Sequence, residues 1–186
     1  MNPEKLGDSK ILNLIFKPAG ILMGSRVRQW LMDPVKTLQA ADVQPAQIIL
    51  EVGCGTGFFT IPTAHMIGDQ GRIVAMDASS GFLEEVAQKV QKADLNNVRI
   101  VQRDALNTGL ETASMDKALL FGVLPFPLLP LGRLLPEMHR VLKPEGTMAV
   151  WLFPPFVHWW VPKSILQSGL FAYTNKRNNV YNYRRH

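Results

Sequence analysis

Ile48-Ile49-Leu50-Glu51-Val52-Gly53-Cys54-Gly55-Thr56-Gly57-Phe58 is the stretch that decides the fold. A short apolar run, fit for a buried parallel strand, empties into three glycines at alternate positions, and an apolar segment of helical length follows. Strand, glycine turn and helix open a doubly wound α/β sheet, whose ligands sit beyond the carboxyl ends of the strands. Glycine suits the turn because the backbone must reverse tightly and approach a ligand with no Cβ between them. The spacing is informative. Gly-x-Gly-x-x-Gly, the dinucleotide fingerprint, would put its third glycine at position 58, where this chain has Phe58. The pattern present is Glu-x-Gly-x-Gly-x-Gly.

Outward from this turn, strands and helices alternate. Residues 57–67 read as a helix, with Pro62 tolerable only in its first turn. Gly71 to Asp77 reads as a second strand, and Ser79 or Ser80 can cap a helix that runs through Lys92. Val98 to Gln102, Asp116 to Phe121 and Gly146 to Phe153 read as three further strands. Leu128 to Leu142 reads as a helix in which Pro136 demands a kink or a late start. This order predicts a mostly parallel sheet covered on both faces. Beyond Pro154-Pro155 come an aromatic patch, Val157-His158-Trp159-Trp160-Val161, and a short helix over 164–168 closed by Gly169. Leu170 to Arg184 then reads as a hairpin, whose Asn-rich turn suits positive φ.

Upstream, residues 1–44 are expected to form a helical cap or lid segment, and residues 45–186 the main domain. Ile11 to Phe16 and Ile21 to Met23 are apolar, broken by Lys17-Pro18-Ala19-Gly20 and flanked by basic residues. A helix packed over the sheet is the plain reading, and a membrane contact or a lid the sharper one. Residues 25–41 follow helical spacing, with Pro34 placed to kink or split the helix.

Composition bounds the function classes. The 186 residues, 47% of them hydrophobic, supply one sizeable core. A single cysteine excludes an internal disulfide framework and suits a reducing, cytoplasmic setting. No cleavable signal peptide is evident, and the longest uncharged apolar run, 118–132, is broken by Pro125, Pro127 and Pro130. The net charge of +5 is compatible with nucleic acid, anionic lipid or plain solubility.

The glycine pattern closely resembles motif I of class I S-adenosylmethionine-dependent methyltransferases. Residues 47–153 resemble the small core of the ubiquinone-biosynthesis and phospholipid-methylating type. Met76-Asp77-Ala78-Ser79, Arg103-Asp104-Ala105 and Arg140-Val141-Leu142-Lys143-Pro144-Glu145-Gly146 match its further hallmarks, the last departing from the usual Lys-Pro-Gly-Gly. The family closes a seven-stranded sheet with an antiparallel pair, in keeping with the hairpin expected here. After the fourth strand, where many relatives are polar or carry His, this chain has Phe121-Gly122-Val123-Leu124-Pro125. That departure bears on the acceptor, not on the cofactor.

The resemblance implies S-adenosyl-L-methionine as cofactor and S-adenosyl-L-homocysteine as product. Gly53, Gly55 and Gly57 would run against its methionine part, with helix-end N–H groups for the carboxylate. Glu51, an acid near the end of a buried strand, would help hold the methionyl amino group. Asp77 stands twenty residues beyond Gly57; an acceptor-only carboxylate there suits vicinal ribose hydroxyls. Its rival reading is an N-cap. Asp104 would accept from the adenine amino group beside Ala105, with a plain turn aspartate as rival. Ala78 and Phe121 complete the expected lining. Cys54 reads as a small packed residue, since a lone thiol makes no metal site. His65 and His139 fall on helices and read as structural or solvated. His158, the one weak candidate for a catalytic base, reads first as packing among Trp159 and Trp160.

The expected activity is methyl transfer, by in-line displacement, to a small hydrophobic or lipid-like acceptor. A cofactor-binding but catalytically degenerate partner subunit is the alternative. DNA is not an expected partner: no Asp/Asn-Pro-Pro-aromatic motif follows the fourth strand. Peripheral membrane contact is expected, if at all, through the N-terminal segment.

Overall fold

The computed structural model describes residues 33–125, 129–152 and 155–186, although not the side chains of Pro155 and Phe156. The expectations for residues 1–24, and for the start of the helix over 25–41, lie outside the described residues. The described part of that helix is α1 (Pro34–Ala40). It begins at the proline itself, where a missing N–H loses no bond. The Asp33 side chain caps it, accepting from the Val35 and Lys36 N–H groups at 3.0 and 3.2 Å.

The remaining elements follow in chain order: β1 (Ile48–Val52), α2 (Thr60–Ile67), β2 (Arg72–Asp77), α3 (Ser80–Lys92), β3 (Val98–Gln102), β4 (Met115–Phe121), α4 (Leu131–Val141) and β5 (Leu142–Trp151). A 3-10 turn (Pro155–Trp159), α5 (Val161–Gln167), β6 (Phe171–Arg177) and β7 (Val180–Arg185) complete the chain. The seven strands lie in the order β3-β2-β1-β4-β5-β7-β6. The first five are parallel, and β7 pairs antiparallel with both β5 and β6. This is the Rossmann-like arrangement expected. The strand order reverses between β1 and β4, so the crevice for a ligand opens at their carboxyl ends.

Burial explains the layers. Leu50, Val52, Val74, Met76, Ala118 and Leu120 face a core closed by α4 and α5, through Leu134, Met138, Val161 and Ile165. Ile49, Ile73, Leu119 and Phe121 face the other side, closed by Leu38 of α1 and by Ala64 and Ile67 of α2. Leu83 and Val86 bring α3 against β2. The residues of α1 thus belong to the same core as the sheet.

Two local features depart from the sequence expectations. Pro62 sits in the first turn of α2 as required, but α4 starts at Leu131 and keeps Pro136 inside. β5 begins at Leu142, four residues early. Leu142 pairs with Met115 and Thr147 with Lys117, so residues 143–146 loop out opposite a single residue. Glu145 holds a φ of 63° there, and a Cβ on Gly146 would stand 2.7 Å from the Lys143 carbonyl oxygen. At the hairpin, Asn178 and Asn179 both take positive φ, the demand of a tight two-residue turn.

Candidate functional site

The glycine turn leaves β1 in the crevice, and its three glycines have three different reasons. A Cβ on Gly53 would stand 2.4 Å from Cγ1 of Val123, in the loop after β4. One on Gly57 would press Val86 of α3 at 3.2 Å, so this glycine serves helix packing. Gly55 has φ 53°, and among the described residues nothing lies within 4 Å of its absent Cβ. No described residue fills that space. A backbone held in the left-handed region beside an empty volume is a cradle for a ligand.

Asp77, at the end of β2, turns its carboxylate onto the same turn. One oxygen accepts the Gly55 N–H at 2.9 Å and the other the Ser79 N–H at 2.9 Å. Burial pushes this carboxyl above the usual carboxylate range, while the N–H groups of Ser79, Gly55 and Ala78 hold it down. A carboxylate has about four acceptor positions, so acceptor capacity remains beside these backbone donors. Ser79 is the N-cap residue of α3, but its side chain makes no capping bond. The serine hydroxyl is therefore not the cap that the sequence led us to expect. Asp77 instead orders the backbone there through the Ser79 N–H.

Glu51 is only 3% exposed, and its carboxylate accepts from the Thr60 hydroxyl at 2.6 Å, joining β1 to the start of α2. Cys54 is buried, and its N–H donates to the Met76 carbonyl at 2.9 Å, which fixes the turn against β2. Burial pushes its thiol far up, and the charges of Glu51 and Asp77 push the same way. An inert, packed thiol follows. Glu51, Cys54, Gly55 and Asp77 thus form one cluster.

Asp104 stands beyond β3 in a tight turn. Its carboxylate accepts the Leu106 N–H at 2.9 Å, and its backbone bridges to Asn107. Ala105 is buried beside it. Ala78 is exposed, and its carbonyl accepts from the Gln102 side chain at 3.1 Å, tying the ends of β2 and β3. Phe121 turns its ring into the core, edge-on to Phe59 at 4.8 Å.

His158 lies apart, over β7. Its Nδ1 is 3.0 Å from the Tyr181 hydroxyl, and the Lys176 ammonium sits 4.6 Å from the Tyr181 ring centroid. Burial lowers the His158 pKa and the Lys176 charge adds to this; a bond to the Leu152 carbonyl opposes both. Its partner is therefore a tyrosine, not the neighbouring tryptophans. Tyr181 pairs with Val150, three strands along from β1, which is roughly 14 Å at the usual strand spacing. His65 is exposed, and His139 meets Arg185 and the terminal carbonyl.

Sequence reading missed Thr60, Lys89, Gln102 and Val123. Lys89 of α3 donates to the Thr56 carbonyl at 2.5 Å and pins the glycine turn from 33 residues away. Thr60, three residues past Gly57, was the one within reach of a local signal.

The donor set fits S-adenosylmethionine: paired acceptor sites on Asp77, an open glycine backbone, and a buried acid at the strand end. Comparison with known proteins points the same way. A family model described as a methyltransferase domain matches residues 49–146. Demethylmenaquinone methyltransferase of Listeria welshimeri is 34% identical over 115 residues, which is 61% of this chain and 48% of that one. The enzyme of the same name from Bacillus cereus is 35% identical over 112 residues, 60% of this chain and 46% of that one. The chain thus spans about half the length of these relatives. A SAM-dependent methyltransferase from Aquifex aeolicus superposes with a TM-score of 0.74 at 22% identity, over 90% of this chain and 96% of that one. It shares the fold.

Proposed function

The chain belongs to the methyltransferase-domain family, and on that premise we propose that it moves a methyl group from S-adenosylmethionine to a lipid-like, quinone-type acceptor. The observation that carries the cofactor reading is the 2.9 Å bond from the Gly55 N–H to the Asp77 carboxylate. It sets an acceptor carboxylate against the glycine turn, which supports a ribose role for Asp77. In this reading Gly53, Gly55 and Gly57 border the methionyl part and Glu51 supports its amino group. Asp77 takes the ribose hydroxyls, and Asp104 and Ala105 border the adenine. S-adenosylmethionine supplies an already activated methyl on its sulfonium, and the sulfur keeps the bonding electron pair as the acceptor atom attaches in line. The protein therefore contributes position and the exclusion of water more than proton transfer.

The acceptor reading rests on the names of the two relatives and on the apolar character of the crevice margin. Val123 lies over Gly53, Leu124 is buried, and Trp151 closes the end of β5 beside Gly122. His158, the weak candidate for a base, is committed to Tyr181.

The test is calorimetry with S-adenosylhomocysteine and NAD, followed by S-adenosylhomocysteine release with demethylated naphthoquinols. Binding of the former and not the latter, with turnover of an isoprenoid acceptor, is expected. Tighter NAD binding overturns the cofactor reading. Cofactor binding without turnover of any quinol acceptor overturns the acceptor reading and favours a partner subunit. A His158→Ala variant should keep at least about a tenth of the parent's kcat; a general base would cost 100-fold or more.

A further inference from the structure

The charge of this chain is placed unevenly. Residues 146–186 hold five Lys or Arg and no Asp or Glu, whereas residues 1–145 hold fifteen of each sign. The whole formal charge of +5 therefore sits on the last segment, which builds β5 through β7 and α5. Two of its five cations are tied down: Arg184 pairs with Glu145 at 3.0 Å, and Arg185 donates to the Leu142 carbonyl. Lys163, Lys176 and Arg177 are exposed and form no ion pair with a described residue.

The same segment exposes most of the large apolar surface. Four large hydrophobic side chains stand out among the described residues. Three of them, Trp159 (78% exposed), Leu166 (45%) and Tyr173 (49%), fall between residues 159 and 173. An isolated exposed apolar residue needs no account, but a cluster does. Helix geometry gathers two of them, Trp159 and Leu166. Val157, Val161 and Ile165 are buried and fix one face of the 3-10 turn and α5. Trp159, Lys163 and Leu166 then follow at spacings of four and three residues on the exposed face. Lys176 reaches the rim of this face, since it lies over the Tyr181 ring whose hydroxyl meets His158, the neighbour of Trp159. Arg177 adjoins it at the hairpin turn, next to the carboxyl end of β5.

We infer that this face, Trp159 with Lys163, Leu166, Lys176 and Arg177, docks on an anionic lipid surface. An exposed tryptophan flanked by lysine is the composition that settles at a membrane interface, with the ring among the headgroups and the cations against lipid phosphate. The complete lack of carboxylates in residues 146–186 removes the repulsion such a surface would otherwise meet. A nucleic acid would also welcome the cations, but aliphatic Leu166 and the single stacking ring suit lipid better than a strand of bases. The hairpin turn that carries Arg177 is level with the carboxyl end of β5, since Val180 pairs with both Trp151 and Arg177. The inference does not depend on the cofactor or acceptor reading, because partition is measured with neither present.

The full chain should co-sediment with phosphatidylcholine vesicles containing phosphatidylglycerol, should not do so with phosphatidylcholine alone, and should be released by salt. Each cation is worth about fivefold, or about 1 kcal/mol. The triple variant Lys163→Gln, Lys176→Gln, Arg177→Gln should therefore lose on the order of 100-fold in partition. Trp159→Ala should lose about tenfold or more. A control triple on the opposite edge, Arg72→Gln, Lys92→Gln, Arg99→Gln, should lose far less, and all variants should keep the parent's thermal midpoint, since the residues are exposed. The inference is overturned if the parent ignores anionic vesicles, if the two triples lose equally, or if binding disappears only when residues 1–24 are removed. Tight tRNA binding through the same cations without vesicle binding also overturns it.

Discussion

At the carboxyl ends of the strands, Asp77 takes the N–H groups of Gly55 and Ser79 and forms no ion pair with a described residue. At the amino ends of the same sheet, Asp116 takes the Ile48 N–H at 2.7 Å and the Lys143 ammonium at 2.7 Å. Beside it Lys117, 2% exposed, gives hydrogens to the Ala41 carbonyl at 2.8 Å and the Thr147 hydroxyl at 2.7 Å. Both ends bury charge. The amino end satisfies it with side chains and carbonyls that lock α1 and the 143–146 loop to the sheet. The carboxyl end orders a carboxylate with backbone only and leaves acceptor capacity facing an open volume. Charge that is fully partnered is scaffold, and charge that is held but left receptive is a site. Substitution at the two ends should therefore separate stability from binding.

The largest effect is expected where the turn is most crowded. Gly53→Ala must relieve a 2.4 Å contact with Val123 and hold alanine at φ 67°, which should cost about 2–4 kcal/mol of stability. Adding Val123→Ala should return the steric part, read as a shift in denaturant midpoint. Gly55→Ala, by contrast, meets no atom of a described residue and should cost about 1 kcal/mol for its left-handed backbone. Its Cβ fills the cradle, so cofactor binding should fall far more than stability. Equal behaviour of the two alanines would erase the distinction between crowded and open glycine.

The amino end can be tested by pH. Burial holds the Lys117 ammonium down to about 8, below its ordinary 10.5, against a smaller opposing pull from Asp42. The folded state thus releases this proton more readily than the unfolded chain, and stability from this group rises as pH climbs from about 8 to 10.5. Compared with Lys117→Met, the parent should gain about 3 kcal/mol across that window, at 1.36 kcal/mol per unit. Cofactor affinity should be the same in both. A parallel pH course for the two proteins would show Lys117 to be better solvated than its burial implies.

Asp77 and Asp116 make the sharpest pair. Asp77→Ala should weaken S-adenosylhomocysteine by about 1.5–3 kcal/mol while the fold survives. Because burial raises the Asp77 pKa, its ionisation counts against folding, and that penalty grows as pH rises from the unfolded to the folded value. Asp77→Asn removes that penalty but turns an amide nitrogen toward one of the two backbone N–H groups, so it should stay within about 1 kcal/mol of the parent at neutral pH, yet bind worse. Parent binding should weaken as pH falls through the raised value. Asp116→Asn should do the reverse, losing about 1–3 kcal/mol of stability with the Lys143 ion pair and keeping cofactor affinity. If Asp116→Asn loses binding as well, the two ends are coupled and the division between scaffold and site fails.

Local pattern made most of this architecture readable. β3 occupies the residues its alternation predicted, and β2 and β4 differ from expectation by one residue each. The hairpin turn sits on Asn178-Asn179 because few other residues accept φ of 43° and 62° in succession. The early start of β5 was not readable. The looped-out residues 143–146 look like an interruption in sequence, while Leu142 still finds Met115 in space. The site divides in the same way. The glycines, Glu51 and Asp77 lie within 27 residues and carry a spacing. Lys89 on Thr56, Gln102 on Ala78 and Tyr181 on His158 join residues 23 to 33 apart, and no period marks such contacts.

Asp104 should show the smallest effect, and it tests where the site ends. Its carboxylate already holds the Leu106 N–H at 2.9 Å, an Asx turn any aspartate or asparagine can make. Asp104→Asn keeps an oxygen for that bond, so stability should stay within about 0.5 kcal/mol of the parent. The amide replaces the second acceptor oxygen with a donor, which cannot receive the adenine amino group. If Asp104 borders the adenine, S-adenosylhomocysteine affinity should fall by about 1 kcal/mol in Asp104→Asn, and inosine-type analogues, whose oxygen accepts where that amino group donates, should favour the asparagine instead. Asp104→Ala should lose the turn bond as well, about 0.5–1.5 kcal/mol of stability. Should Asp104→Asn bind S-adenosylhomocysteine as the parent does, the aspartate is a turn residue only. The receptive charge of the carboxyl end would then stop at β2, with β3 supplying the buried Ala105 and its backbone.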